Sequence, residues 1–296
     1  MPARAARTSV SIFMASKMSK TSPSATSAPL CTFTLKMLPA SGAGTVSALL
    51  SAAGAGATRG DRPVTTADFA VRYRSVQEIV AGACDRSGRD PNDVRIVGVS
   101  KRHPLSAIRT AAAAGLTTFG ESYVQELVEK REELADDLAG CDWHFIGHLQ
   151  RNKVRALLPH CTMIESVDSE RLARRIDREA SETGRIMPVL LQVNTSGETS
   201  KFGCTPGGAS EIATRIDELT SLDLRGCMTM ARPTDDPDDT ARRSFALLRD
   251  VRDLVADRLG RALPELSMGM SGDYAVAIEE GSTLVRIGTD LFGPRP

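Results

Sequence analysis

Lys101 closes a β-rich apolar run, Val94-Arg-Ile-Val-Gly-Val-Ser-Lys101, and Arg102-His103-Pro104 follow it directly. An ammonium at a strand end beside a core costs on the order of several kcal/mol unless something compensates. One outlet is to keep the nitrogen neutral, as an amine nucleophile toward a carbonyl. A second cluster lies near the end of the chain, in Met268-Gly-Met-Ser271-Gly-Asp273 and Arg286-Ile-Gly-Thr289. Glycines let a backbone approach an anion, Ser271 and Thr289 add hydroxyl donors, and a helix starting near Asp273 adds free N–H groups. Ser271 and Asp273 would also serve simply as helix caps, a role compatible with holding phosphate. Alternation along the run Leu284–Gly288 sets Leu284, Arg286 and Gly288 on one face, and a guanidinium within a strand there needs a partner. That partner is either Lys101 across a closing seam, two adjacent cations that favour a neutral amine, or a strand-end acid such as Glu121 or Glu165. Amine and phosphate cradle together suit a phosphorylated aldehyde.

The elements that must position these groups alternate in type. Strands are predicted at Val94–Ser100, Thr117–Gly120, Trp143–Gly147, Met163–Val167, Val189–Asn194, Leu224–Met230, Leu266–Met270 and Leu284–Gly288. Helices are predicted between them at Leu105–Ala114, Tyr123–Leu138, Lys153–Leu158, Ser169–Ser181, Ala209–Leu219, Thr240–Leu259 and Tyr274–Glu280, with a first helix over Ala67–Cys84 capped by Thr66 or Asp68. Eight strands separated by helices indicate βα units, a parallel sheet and a (β/α)8 TIM barrel. An open doubly wound sheet would place a glycine-rich loop after its first strand, where this chain has Ser100-Lys101-Arg102-His103. In a barrel, chemistry gathers at the C-terminal strand ends. Those ends carry Lys101, Glu121-Ser122, His148, Asp168, Asn194-Thr-Ser196, Thr229, Met270-Ser271 and Arg286-Ile-Gly-Thr289.

Composition sets bounds on function. The chain has 296 residues and zero formal net charge, but residues 1–60 hold six basic residues and no acid. The rest is acidic, with 31 basic against 37 acidic residues, which argues against a nucleic-acid binder. No apolar run is long enough to span a bilayer. The six scattered cysteines lack zinc spacing and read as reduced thiols. Residues 1–65 form a low-complexity extension, expected to be disordered, ahead of a domain over 66–296. A transit peptide or a secretory signal are the other readings of residues 1–60. His144 and His148 share a strand face, but no third metal ligand accompanies them. Trp143 and Phe145 are expected in the core, Arg242, Arg243, Arg249 and Arg252 on an exposed helix face, and Asp235–Asp239 in a solvated loop and helix start. Phe202-Gly203 is a candidate lid.

The stretches Val99-Ser-Lys101, Phe119-Gly-Glu-Ser-Tyr-Val-Gln-Glu126, Trp143-His-Phe-Ile-Gly-His-Leu-Gln-Arg-Asn-Lys153, Gln192-Val-Asn-Thr-Ser-Gly-Glu198, Leu266-Ser-Met-Gly-Met-Ser271 and Val285-Arg-Ile-Gly-Thr289 occur in this order. Together they resemble the pyridoxal 5′-phosphate (PLP) homeostasis proteins, over nearly all of residues 66–296. The resemblance implies a fold-type III PLP-binding barrel like the N-terminal domain of alanine racemase, with PLP on Lys101 as a Schiff base. It implies a cofactor site of Lys101, Ser122, Asn194, Met270, Ser271, Arg286, Gly288 and Thr289, with Arg286 against the pyridine nitrogen. Ser122 departs from the family's asparagine, and water is the expected substitute for the missing amide. An arginine at that nitrogen keeps it unprotonated and weakens the ring as an electron sink. A carrier that binds, buffers and delivers PLP to apo-enzymes, with little or no turnover, is therefore expected. The partner is PLP rather than nucleic acid or membrane, the location cytoplasmic and the state monomeric or weakly dimeric. A PLP-dependent racemase or lyase using Lys101, His148 or Tyr274 is the alternative, and a Schiff-base aldolase without PLP is the third.

Overall fold

A computed structural model describes residues 65–198, 201–230 and 237–294. The expectation for the extension over 1–65 lies outside these residues, Thr65 excepted, as do those for Cys31 and for Asp235-Asp236. Eight parallel strands close a barrel in sequential order: β1 (Arg95–Val99), β2 (Thr118–Glu121), β3 (Asp142–Phe145), β4 (Met163–Val167), β5 (Met187–Gln192), β6 (Leu222–Met228), β7 (Glu265–Ser267) and β8 (Leu284–Ile287). The seam joins β1 to β8, with Val97 opposite Arg286 and Gly98 opposite Ile287.

Helices α1 (Thr66–Ser87), α2 (Leu105–Ala113), α3 (Val124–Glu133), α4 (Val154–Leu157), α5 (Glu170–Glu182), α6 (Ala209–Asp217), α7 (Pro237–Leu259), α8 (Tyr274–Glu279) and α9 (Thr289–Phe292) surround the sheet. The α1 cap is Thr65, one residue earlier than predicted; its hydroxyl accepts the Asp68 N–H while the Asp68 carboxylate accepts the Thr65 N–H. Helix α1 packs on α2, α8 and α9, and so covers the seam from outside. The short α9 was not predicted, because four residues after Gly288 carry too little periodicity to register. Helix α3 stops at Glu133, short of the predicted Leu138.

Strand alternation sorts the apolar residues into two cores. Val97, Met163, Leu190, Met228 and Leu284 fill the barrel. A larger core, including Phe119, Trp143, Phe145, Val285 and Ile287, lies between sheet and helices, with Phe119 stacked on Trp143 at 5.2 Å. Of the α7 arginines, Arg242 and Arg243 are exposed as expected, Arg242 pairing with Glu279 and Glu280 at the α8 end, while half-buried Arg249 pairs with Glu280 and half-buried Arg252 reaches the Leu263 carbonyl. The five described cysteines form no disulfide.

Candidate functional site

The turn carrying Lys101 is held from behind the sheet. Ser100 faces outward, and its Oγ donates to Glu121 Oε1 at 2.6 Å. The buried ammonium of Lys130, on α3, donates to the Ser100 carbonyl, to Glu121 and to Glu126, each at 2.7 Å. Glu126 in turn accepts the Arg102 N–H at 2.5 Å. Arg102 is the one non-glycine among the described residues with a positive φ, 64°, a conformation that costs an L-residue roughly 1–2 kcal/mol. The backbone on both sides of Lys101 is thus pinned by one lysine and two glutamates. Burial pushes the Glu121 carboxyl up; Lys130 and Ser100 pull it back without cancelling the effect.

Lys101 itself is half-buried, and its Nζ donates to Ser122 Oγ at 3.4 Å. The Ser122 backbone reaches this position because residue 147 is glycine: a Cβ there would lie 2.0 Å from the Ser122 carbonyl oxygen.

Inside the barrel, Arg286 is buried, with Nη1 donating to Ser267 Oγ at 2.5 Å and Nη2 to the Thr229 carbonyl at 2.7 Å. The Ser267 hydroxyl sits 2.5 Å from Glu165 Oε2, and Glu165 Oε1 lies 2.6 Å from His144 Nδ1. Burial pulls the Arg286 guanidinium below the ordinary arginine value, while Glu165 and Asp273 oppose the shift. For Glu165 burial acts upward, but His144, Arg286 and Ser267 outweigh it and hold the carboxyl low.

The predicted facing of Leu284, Arg286 and Gly288 is observed: Leu284 belongs to the inner core, and Gly288 lies against Val99. The predicted adjacency of Arg286 and Lys101 is not. Arg286 stands opposite Val97, four residues before Lys101, which lies in the turn beyond the end of β1. Its partners are Ser267, Thr229 and, through Ser267, Glu165. A lone arginine in β8 announces a need for partners, but the register that selects them is set by barrel closure.

The loops after β7 and β8 meet, with the Asp290 N–H donating to Ser271 Oγ at 3.5 Å. Gly269, at φ +94°, makes the tight turn, and a Cβ there would meet Ala277 Cβ at 2.6 Å. Ser271 and Gly288 are half-buried, Met270 and Thr289 exposed, so all four border the open end. Asn194 is turned to another task. Its amide nitrogen donates to the carbonyls of Glu198 and Lys201, and its oxygen accepts from Ser196, which folds the loop after β5. That loop brings Phe202 across to stack on His148, centroids 3.8 Å apart. Tyr274 is buried, its phenol pushed up to about 12 by burial and by Asp290, so its hydroxyl keeps its proton. Sequence reasoning missed Glu126 and Lys130 as clamp residues and Ser267 and Thr229 as Arg286 partners. For Ser267 a signal exists: alternation in β7 sets it opposite in facing to core Leu266. For Lys130 there is none, since a lysine four residues after a glutamate reads as a surface pair.

This arrangement has counterparts. The family described as "Alanine racemase, N-terminal domain" matches residues 86–296. The pyridoxal phosphate homeostasis protein of Aquifex aeolicus is 42% identical over 225 residues, 76% of this chain and 97% of that protein. This chain belongs to the pyridoxal phosphate homeostasis protein family. Its Pseudomonas aeruginosa member is 44% identical over 213 residues, covering 72% of this chain and 90% of its own. PipY of Synechococcus elongatus, solved with PLP bound, is 37% identical with a TM-score of 0.66, covering 76% of this chain and all of that one. Alanine racemase from Corynebacterium glutamicum, 14% identical with a TM-score of 0.60, shares the fold over 79% of this chain and 62% of its own. No described helix is long and apolar enough to cross a membrane.

Proposed function

We propose that this protein binds PLP at the C-terminal mouth of the barrel and acts as a carrier in PLP homeostasis, delivering cofactor to apo-enzymes in the cytoplasm. PLP supplies an aldehyde, which condenses with an amine to a Schiff base and water. Lys101 Nζ is the amine, presented at a fixed height because Ser100 and Arg102 are anchored through Lys130 and Glu126. Ser122 Oγ orients that amine. The phosphate falls to Ser271, Thr289 and the Gly288 backbone, with Met270 on the rim, where the loops after β7 and β8 converge. Arg286 lies deeper, aimed from the barrel interior, and serves the ring nitrogen. Asn194 contributes by shaping the loop that carries Phe202 rather than by its own amide.

The observation that carries this reading is the seam. Strands β1 and β8 are neighbours, and alternation sets Arg286 and Gly288 on the face that Leu284 shares with the inner core, while Lys101 follows the end of β1. The fit is also chemical: a rigid guanidinium already held by Ser267 and Thr229 donates to an acceptor without reorganising. The phenol of Tyr274 keeps its proton well above neutral pH, which speaks against it as the base of a racemase.

The test is a visible spectrum of the purified protein with PLP. The wild type should show a Schiff-base band that borohydride abolishes, leaving a pyridoxyl mass on the Lys101 peptide. Lys101→Ala should show free PLP only. A full-strength band in Lys101→Ala would refute Lys101 as the amine. Rapid exchange of amino-acid α-protons in deuterated water would refute the carrier reading in favour of catalysis.

A further inference from the structure

The outer wall of the barrel carries a groove of the opposite sign to the body. Although acids outnumber bases beyond residue 60, the cleft between the turn after β3 and helix α5 is lined by Arg151, Asn152, Arg171, Arg174, Arg175 and Arg178. No carboxylate lines it, and its volume is about 590 Å³. Arg171, Arg174 and Arg178 follow helical spacing, so their stems run along one face for about 10 Å. The acids of α5 are largely spent beside the cleft: Glu170 pairs with Arg174 at 2.6 Å, Glu179 with Arg175 at 2.7 Å, and Asp177 accepts the Ser221 N–H at 2.8 Å. Glu182 stands beyond the last arginine and does not line the cleft. Arg151 and Arg171 have no ion-pair partner among the described residues. A second cleft, about 490 Å³, shares Arg151, Asn152 and Arg171 and continues to His148 and Asp168 at the ends of β3 and β4. The arginine groove therefore opens onto the face of the barrel that carries Lys101.

We propose that this groove docks an acidic polypeptide segment of a protein partner. A row of exposed guanidiniums matches carboxylates spaced along a chain better than it matches one compact phosphate, which would be gripped by convergent donors. A nucleic acid fits poorly, because the lining offers no aromatic ring for a base and the acidic body repels a long phosphate backbone. Docking here sets the partner beside the mouth, and its use for cofactor delivery rests on the carrier reading; the docking itself does not.

The experiment uses PLP-loaded full-length protein and a fluorescein-labelled peptide of ten glutamates, followed by fluorescence anisotropy. Saturable binding is expected, weakening at least tenfold when salt rises from about 20 to 200 mM. The double variant Arg151→Glu/Arg171→Glu should weaken binding at least tenfold, and Arg171→Gln alone by about threefold. Arg109→Glu, on α2, should change it by less than twofold. Absence of saturable binding, indifference to both groove variants, or tighter binding of a single-stranded oligonucleotide of equal charge would overturn the proposal. The PLP band is read in the same samples. A wild type without that band but with groove-dependent peptide binding would sink the carrier reading and leave the docking site standing.

Discussion

Two buried polar networks flank the first strand, one on each side of the sheet. Behind the wall, Lys130 and Glu126 grip main-chain atoms of Ser100 and Arg102, and Glu121 accepts the Ser100 hydroxyl. Inside the barrel, His144, Glu165 and Ser267 grip one side chain, Arg286. The outer network fixes the main chain on either side of Lys101, whose side chain itself reaches Ser122. The inner network immobilises a guanidinium completely, as suits a donor that only has to be in place. The two also respond to acid in opposite senses. Glu121 is raised, chiefly by burial, and Glu165 is lowered by its partners.

The contrast yields predictions of decreasing size. Lys130→Met strips the buried Glu121 and the half-buried Glu126 of their shared cation and should cost about 3–5 kcal/mol in urea unfolding. It should also weaken the PLP band by loosening the Lys101 turn; an unchanged melt and spectrum would dissolve the clamp. Glu165→Gln should cost about 2–3 kcal/mol at pH 7, since charge-assisted bonds to Ser267 and His144 go. Because folding lowers this carboxyl, its contribution is whole above the unfolded value near ~4.3 and fades as pH falls through the folded value. The gap between wild type and variant should therefore close in acid. Glu121 has the reverse sign: its contribution is whole below ~4.3 and is lost as pH rises toward its raised folded value. Glu121→Gln should thus cost less at pH 7 than Glu165→Gln, and equal costs would erase the distinction. Glu126→Gln, losing the charge that holds the Arg102 N–H, should cost about 1 kcal/mol. Thr65→Ala, outside both networks, should cost at most ~1 kcal/mol through the α1 cap and leave the PLP band untouched.

Most elements were legible because their signals are local. Alternation located β1 and β8 within a residue or two and gave the shared facing of Leu284, Arg286 and Gly288, and the helix predicted over Ser169–Ser181 is α5, Glu170–Glu182. The misses have physical causes. Helix α9 is too short to show a period, and Arg249 and Arg252 look solvated until Glu280 and the Leu263 carbonyl draw them in.

The order of residues along the chain determined the alternating architecture, the shared facing of Leu284, Arg286 and Gly288 and the candidate amine at Lys101, because these follow from period and turn chemistry within a few residues. Only the closed barrel decided that Arg286 meets Ser267 and Thr229 instead of Lys101, and that Lys130 is interior. Register between distant strands and burial of a helix face against a sheet are set by packing the whole ring, and no local stretch encodes them.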